Sequence, residues 1–217
     1  MGSFEIADTE NGKLITFEGG EGAGKSTQVA LLADYLETKG IKFVKTREPG
    51  GSSGAEDIRR LLVEGAVDRW DSIAETLLLM AGRRSHFKEL LEPALIGGKW
   101  VICDRFSDST LAYQGYGQGV DLEMISQLQY LAIGEFAPDL TFLLDIPVNE
   151  GLSRAEERGA TARYEQMGVE FHRRIRDGFR EMANTDPDRI KIIDAQLPVE
   201  EIEAQIRNCI ERRFGLN

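Results

Sequence analysis

The run Gly19-Gly20-Glu21-Gly22-Ala23-Gly24-Lys25-Ser26 constrains this chain more than any other stretch. It fits G-x-x-x-x-G-K-[ST], the spacing of a phosphate-cradling P-loop. A short apolar run, Leu14-Ile15-Thr16-Phe17, precedes it and reads as a buried strand. Residues 28–39 follow, with Val29, Leu32, Tyr35 and Leu36 at helical spacing and Gly40 placed to stop the helix. Strand, loop and helix in that order are the context the motif requires. Four glycines let the backbone curl until its N–H groups converge on phosphate oxygens. The helix N-terminus adds partial positive charge at the same point. Lys25 then reaches the β- and γ-phosphates, and the Ser26 hydroxyl is a ligand for Mg²⁺. With Thr27 following, these nine positions are the expected nucleotide-binding loop.

The rest of the chain alternates strand and helix signals. Residues 41–46, 100–103, 140–144 and 190–193 read as further strands. Residues 53–64, 71–96, 121–135, 169–183 and 199–214 read as helices, the second of them long, with Pro93 near its end and Gly97-Gly98 closing it. Such alternation implies a five-stranded parallel sheet with helices on both faces, a three-layer α/β/α architecture. In sheets of that kind ligands sit beyond the carboxyl ends of the strands. The chemistry-bearing residues fall there: 18–26, 47–51, 104–114 and Asp145.

The 217 residues carry 26 basic and 37 acidic side chains, a formal charge of −11. Proteins that bind a nucleic-acid polymer usually carry a basic field, so that partner is not expected. A nucleotide remains compatible, because a cleft can be locally basic on an acidic body. No apolar run is long enough to span a bilayer, and no membrane partner is expected. Residues 1–12 lack an apolar signal core and read as a flexible segment. Cys103 and Cys209 belong to no metal-spacing motif, which suits reduced thiols in a cytoplasmic protein. His86 and His172 read as surface or interface residues.

A guanine-reading Asn-Lys-x-Asp is missing from the sequence, and the chain is short for a motor ATPase. A small P-loop protein with clustered arginines fits a kinase of a small phosphorylated acceptor. At this point a resemblance becomes specific. Phe17 through Thr27, Thr46-Arg47-Glu48-Pro49-Gly50-Gly51, Asp104-Arg105-Phe106, Ala112-Tyr113-Gln114-Gly115 and the segment 154–166 resemble the thymidylate kinase family, of the bacterial type with arginines in a lid. The resemblance runs from Leu14 to about Phe214. It implies a nucleoside-monophosphate-kinase fold with one domain over 13–217 and a short lid near 153–166. It implies phosphoryl transfer from ATP to dTMP with Mg²⁺ as cofactor, and a homodimer. Two other readings stay open: a kinase of another nucleoside monophosphate, and a non-catalytic ATP-dependent regulator.

The resemblance also distributes roles. Arg47 approaches the dTMP phosphate. Arg105 bridges the phosphates of the two substrates, and Asp104 either holds Mg²⁺ through water or orients Arg105. Glu21 faces the acceptor near the sugar hydroxyl or an arginine. Arg84 reads the thymine edge, with Met80 one turn earlier where the family has an aromatic ring; the neighbouring Arg83 competes for that register. Ser109, Thr110, Tyr113 and Gln114 line the acceptor pocket, and 114–119 reads as an exposed loop. Arg154 and Arg158 form the phosphoryl clamp, Arg163 contacts the nucleotide, and Glu165 is a metal or sugar partner.

Overall fold

The computed structural model describes residues 12–66, 68–159 and 163–216. The expectation for the first twelve residues therefore lies outside the described residues, save Gly12. Five parallel strands, β1 (Leu14–Glu18), β2 (Phe43–Arg47), β3 (Trp100–Asp104), β4 (Leu140–Asp145) and β5 (Ile190–Asp194), form one sheet in the order β2-β3-β1-β4-β5. β1 lies in the centre and is buried along its whole length, which is why its sequence is a nearly continuous apolar run. Alternate side chains go to opposite faces. Ile15 and Phe17 join Phe142 and Leu144 under α1 (Lys25–Thr38) and the C-terminal helix Val199–Phe214, which contributes Ile202, Ile206 and Ile210. Leu14, Val101 and Cys103 face the other way, against Leu91, Leu95, Phe106 and Ile133.

Register places function. Phe17 aligns with Asp104, Arg47 with Asp104, and Asp145 with Asp194. All five strands thus end on a charged residue at one edge, Glu18, Arg47, Asp104, Asp145 and Asp194, and the P-loop rises from the middle of that edge.

The helices over the second face are α2 (Ser53–Val63), α3 (Ser72–His86), α4 (Glu92–Ile96), α5 (Ser107–Thr110) and α6 (Leu122–Ile133). Asp71 caps α3 by accepting from the Ile73 and Ala74 amides at 3.0 and 3.1 Å. The long helix expected over 71–96 is interrupted by a π-helical turn, Phe87–Leu91, just before Pro93, whose missing amide cannot continue the ladder. The expected exposed loop at 114–119 is corrected as well. Leu111–Gly117 is π-helical and mostly buried. A β-carbon at Gly115 would strike Leu122, and one at Gly117 would lie 2.7 Å from Phe171. These glycines serve close packing rather than chain reversal. Beyond β4 come α7 (Val148–Glu157), a 3₁₀ turn at Arg163–Gln166, α8 (Val169–Thr185), and, after β5, the C-terminal helix α9 (Val199–Phe214). The start of α7 sits on the P-loop backbone: a β-carbon at Gly22 would overlap the Gly151 carbonyl, so glycine is required at both contact points.

Candidate active site

The phosphate loop has the geometry its sequence implies. Gly19, Gly22 and Gly24 have φ of 135°, 68° and 88°, in the region that disfavours a β-carbon. α1 starts at Lys25 with no side-chain cap and no acidic residue in its first turn, so its terminal N–H groups are available to an anion. Lys25 Nζ donates to the Gly19 and Gly20 carbonyls at 3.0 and 2.8 Å. Burial, and then the nearby Arg105, bring its amine down to about 8. Ser26 and Thr27 are exposed, and Ser26 Oγ donates to Asp104 Oδ2 at 2.8 Å. A hydroxyl and a carboxylate oxygen side by side suit Mg²⁺, a hard ion that takes few protein ligands beside phosphate and water. Among the described residues no cluster of three or more His, Cys, Asp or Glu offers a rival metal cage.

Arg105 faces this loop from β3. Its φ is +67°, a left-handed conformation that costs a non-glycine residue about 1–3 kcal/mol and persists only where surroundings enforce it. The enforcement is visible. Its amide donates to Phe17 O at 2.9 Å. Glu18, fully buried, accepts from the Phe106 amide at 2.7 Å, the Ser109 amide at 3.3 Å and the Ser109 hydroxyl at 2.5 Å. Burial and the proximity of Asp108 push the Glu18 carboxyl up to about 7. The Arg105 guanidinium lies 4.9 Å from the Tyr113 ring centre and donates to Gly19 O at 2.9 Å, Ser109 Oγ at 3.3 Å and Glu21 Oε1 at 3.0 Å. Tyr113 OH donates to the same Glu21 oxygen at 2.6 Å. Burial alone would raise the Glu21 carboxyl; Arg105 and Lys25 outweigh it and bring it down to about 2. An acid inside a phosphate loop is tolerable because it is answered by a guanidinium and a hydroxyl.

On the acceptor side the register differs from expectation by one residue. Arg84 is exposed and donates to the Ala132 carbonyl at 2.9 Å, away from the pocket. Arg83 is buried and donates to Glu48 Oε2 at 2.8 Å, Thr110 Oγ1 at 2.9 Å and Phe106 O at 3.2 Å. Successive helical residues differ by about 100°, so only one of the pair can face the sheet edge. Met80 is buried against Val120 and Ile125 with its Sδ 3.7 Å from Arg83 Nη1, and half-buried Leu79 stands one turn before Arg83. Gln114 donates to Glu75 at 2.8 Å, and Glu75 also pairs with Arg163. Arg163, expected at the nucleotide, is instead buried against Glu75 and the Leu62 carbonyl, with its guanidinium 5.0 Å from the Tyr164 ring centre. Arg47 is half-exposed and paired with Glu56 at 3.0 Å. Arg59, missed in the sequence, donates to Pro49 O at 2.7 Å, and its pKa is depressed by burial and by Arg47. Its signal was the i, i+3 spacing to Glu56 on α2.

On α7, Arg154 donates to Glu150 at 2.6 Å and to the Ala195 carbonyl at 3.0 Å. Arg158 is exposed, its Nε donating to the Arg154 carbonyl at 3.1 Å. Neither is drawn to the P-loop in this arrangement. Residues 160–162 and the side chain of Glu165 lie outside the described residues. Both histidines are corrected: His86 is 0% and His172 5% exposed.

A phosphate cradle and the arginines Arg47, Arg59 and Arg83 thus stand at one edge of the sheet, with Arg105 bonded to the cradle at Gly19 and Glu21. That is the plan of a P-loop nucleoside monophosphate kinase. A family model described as thymidylate kinase matches residues 17–206. The thymidylate kinase of Caulobacter vibrioides is 49% identical over 94% of this chain and 99% of its own length. That of Magnetococcus marinus is 48% identical over 94% and 97%. The solved thymidylate kinase of Ehrlichia chaffeensis superposes with a TM-score of 0.74 at 39% identity, covering 92% of this chain and 99% of its own. The chain belongs to the thymidylate kinase family.

Proposed function

We propose that the protein transfers the γ-phosphoryl group of ATP to dTMP, giving ADP and dTDP. The observation that carries this reading is Arg105, held in a left-handed conformation with one nitrogen on the Gly19 carbonyl of the donor cradle and another on Glu21 at the acceptor pocket.

The nucleophile is a phosphate oxygen of dTMP, whose second pKa of ~6 leaves it largely dianionic at neutral pH. No general base is needed. The obstacle is repulsion between two anions, so catalysis rests on alignment and positive charge. Lys25 and the first amides of α1 bind the β- and γ-phosphates. Ser26 and Asp104 would hold Mg²⁺, which would supply positive charge against the charge that develops on the phosphates. Arg105 lies between donor and acceptor, and Arg47 and Arg59 receive the dTMP phosphate in bidentate fashion. Arg83 reads the thymine edge, Leu79 covers the ring, and Tyr113 with Glu21 packs at the sugar. Ser109 acts through its bonds to Glu18 and Arg105, Thr110 through Arg83, and Gln114 through Glu75. The end of α7, the part of the expected lid within the described residues, closes and turns Arg154 and Arg158 onto the transferring group.

Two copies associate through α3. Ile73 and Leu77 lie one turn apart on it, with Leu61 of α2 and Tyr130 and Leu131 of α6 on the helices packed to either side, all exposed. Among the described residues no helix is long and apolar enough to cross a membrane, and a cytoplasmic setting fits the nucleotide substrates. The test is product analysis with dTMP, UMP and dCMP as acceptors. dTMP turnover well above the others supports the reading; equal rates remove the thymidine claim. Sedimentation of the Leu77→Glu variant as a monomer checks the dimer.

A further inference from the structure

Behind Arg83 runs a buried polar chain. Thr46 Oγ1 lies 2.7 Å from His86 Nε2, His86 Nδ1 lies 3.1 Å from Glu48 Oε1, and Glu48 Oε2 accepts from Arg83 Nε at 2.8 Å. His86, Glu48 and Arg83 are 0%, 7% and 3% exposed. Burial would raise the Glu48 carboxyl, but Arg83 and His86 outweigh it and hold it below the usual range. An ionised carboxylate only accepts, so His86 Nδ1 carries the proton and donates. Nε2 on the other side of the ring meets the Thr46 hydroxyl, which can either donate or accept.

This chain ties the segment 46–48 to α3. Thr46 is the last residue but one of β2, immediately before Arg47. Glu48 lies in the turn beyond it, and Arg83 and His86 share one face of α3 at i and i+3. The turn is packed onto the pair as well: a β-carbon at Gly51 would overlap both Thr46 Oγ1 and His86 Nε2. Arg83 reaches its other partners through its η nitrogens, at Thr110, Phe106 O and Gln129. Its Nε donates to Glu48 Oε2, which Nη2 also approaches at 2.8 Å, and Glu48 is held from the opposite side by His86.

We infer that His86 is a positioning residue for the acceptor: through Glu48 and Thr46 it sets the spacing between the base-reading Arg83 and the phosphate-binding Arg47. This rests on the reading of those two arginines given above. The Michaelis constants then separate. In His86→Leu, KM for dTMP rises about tenfold, while KM for ATP stays within about twofold, because the donor cradle lies on other elements. His86→Asn restores KM for dTMP to within about threefold of wild type, since its amide nitrogen stands near Nδ1 and still donates to Glu48. Thr46→Val, isosteric at a strand end, raises KM for dTMP by about threefold by freeing Nε2.

Initial rates over both substrates, with urea midpoints for each variant, decide the matter. A purely structural histidine lowers the midpoints of His86→Leu and His86→Asn alike and moves neither KM selectively. An unchanged KM for dTMP in folded His86→Leu overturns the proposal, and so does an equal rise in both constants. Should His86→Leu not fold, Thr46→Val decides alone, an unchanged KM for dTMP again overturning it. Wild-type protein that makes no dTDP refutes the underlying reading instead, before any variant is compared.

Discussion

Glu21→Gln removes one charge from the junction of the two pockets and leaves the side-chain shape. In the wild type this carboxylate accepts from Arg105 at 3.0 Å and Tyr113 at 2.6 Å, and its pKa falls from 4.5 to about 2. At ~1.4 kcal/mol for each tenfold change in proton affinity, that displacement corresponds to about 3 kcal/mol of folding stability. The sign follows from the direction. A carboxyl with a depressed folded pKa stabilises fully above its ordinary 4.5 and loses the contribution as pH falls from there toward 2. The wild-type advantage over Glu21→Gln is therefore about 3 kcal/mol at pH 7 and about 1.5 kcal/mol at pH 3. Urea unfolding of both proteins at a series of pH values measures it. A difference that is flat with pH, or that grows on acidification, refutes the reasoning, because Arg105 would then not be what holds the carboxylate.

Lys25→Ala loses turnover by about a thousandfold or more, read from ADP release, because nothing else in the loop carries a cation to the γ-phosphate. Lys25→Met is inactive yet at least as stable as wild type at pH 7: the folded amine is depressed to about 8, so its cost is fully present below that pH and eases as pH rises toward 10.5. Arg83→Lys raises KM for dTMP about tenfold by losing the planar fork, whereas Arg84→Ala leaves it within about twofold; the reverse pattern would restore the register first expected from the sequence. Phe142→Ala empties a fully buried site whose ring centre lies 5.4 Å from that of Phe17, and costs about 3–5 kcal/mol in chemical unfolding.

What the sequence discloses here is what local rules control. The phosphate loop is legible because its spacing, its preceding apolar strand and its following helix all follow from near-neighbour chemistry. The three inner strands are legible because each is a short, largely apolar run that ends in a charge. The choice between Arg83 and Arg84 is not, since it depends on the phase of α3 against Glu48 and Thr110, residues far off in the chain. Nor is the burial of His86, whose partners lie 38 and 40 positions away. Glycines at 115 and 117 resemble a turn until Leu122 and Phe171 are seen pressed against them. Glu18 reads only as the first residue after a strand; the fold turns the Asp-Arg-Phe corner back over its carboxylate.

The most direct test places purified protein with MgATP and dTMP and follows both nucleotides by phosphorus NMR. Equimolar appearance of dTDP and ADP, abolished in Arg105→Ala while ATP still binds, is the predicted result. ADP formed without dTDP, or dTDP formed at the wild-type rate by Arg105→Ala, would contradict a mechanism in which that guanidinium joins the two substrates.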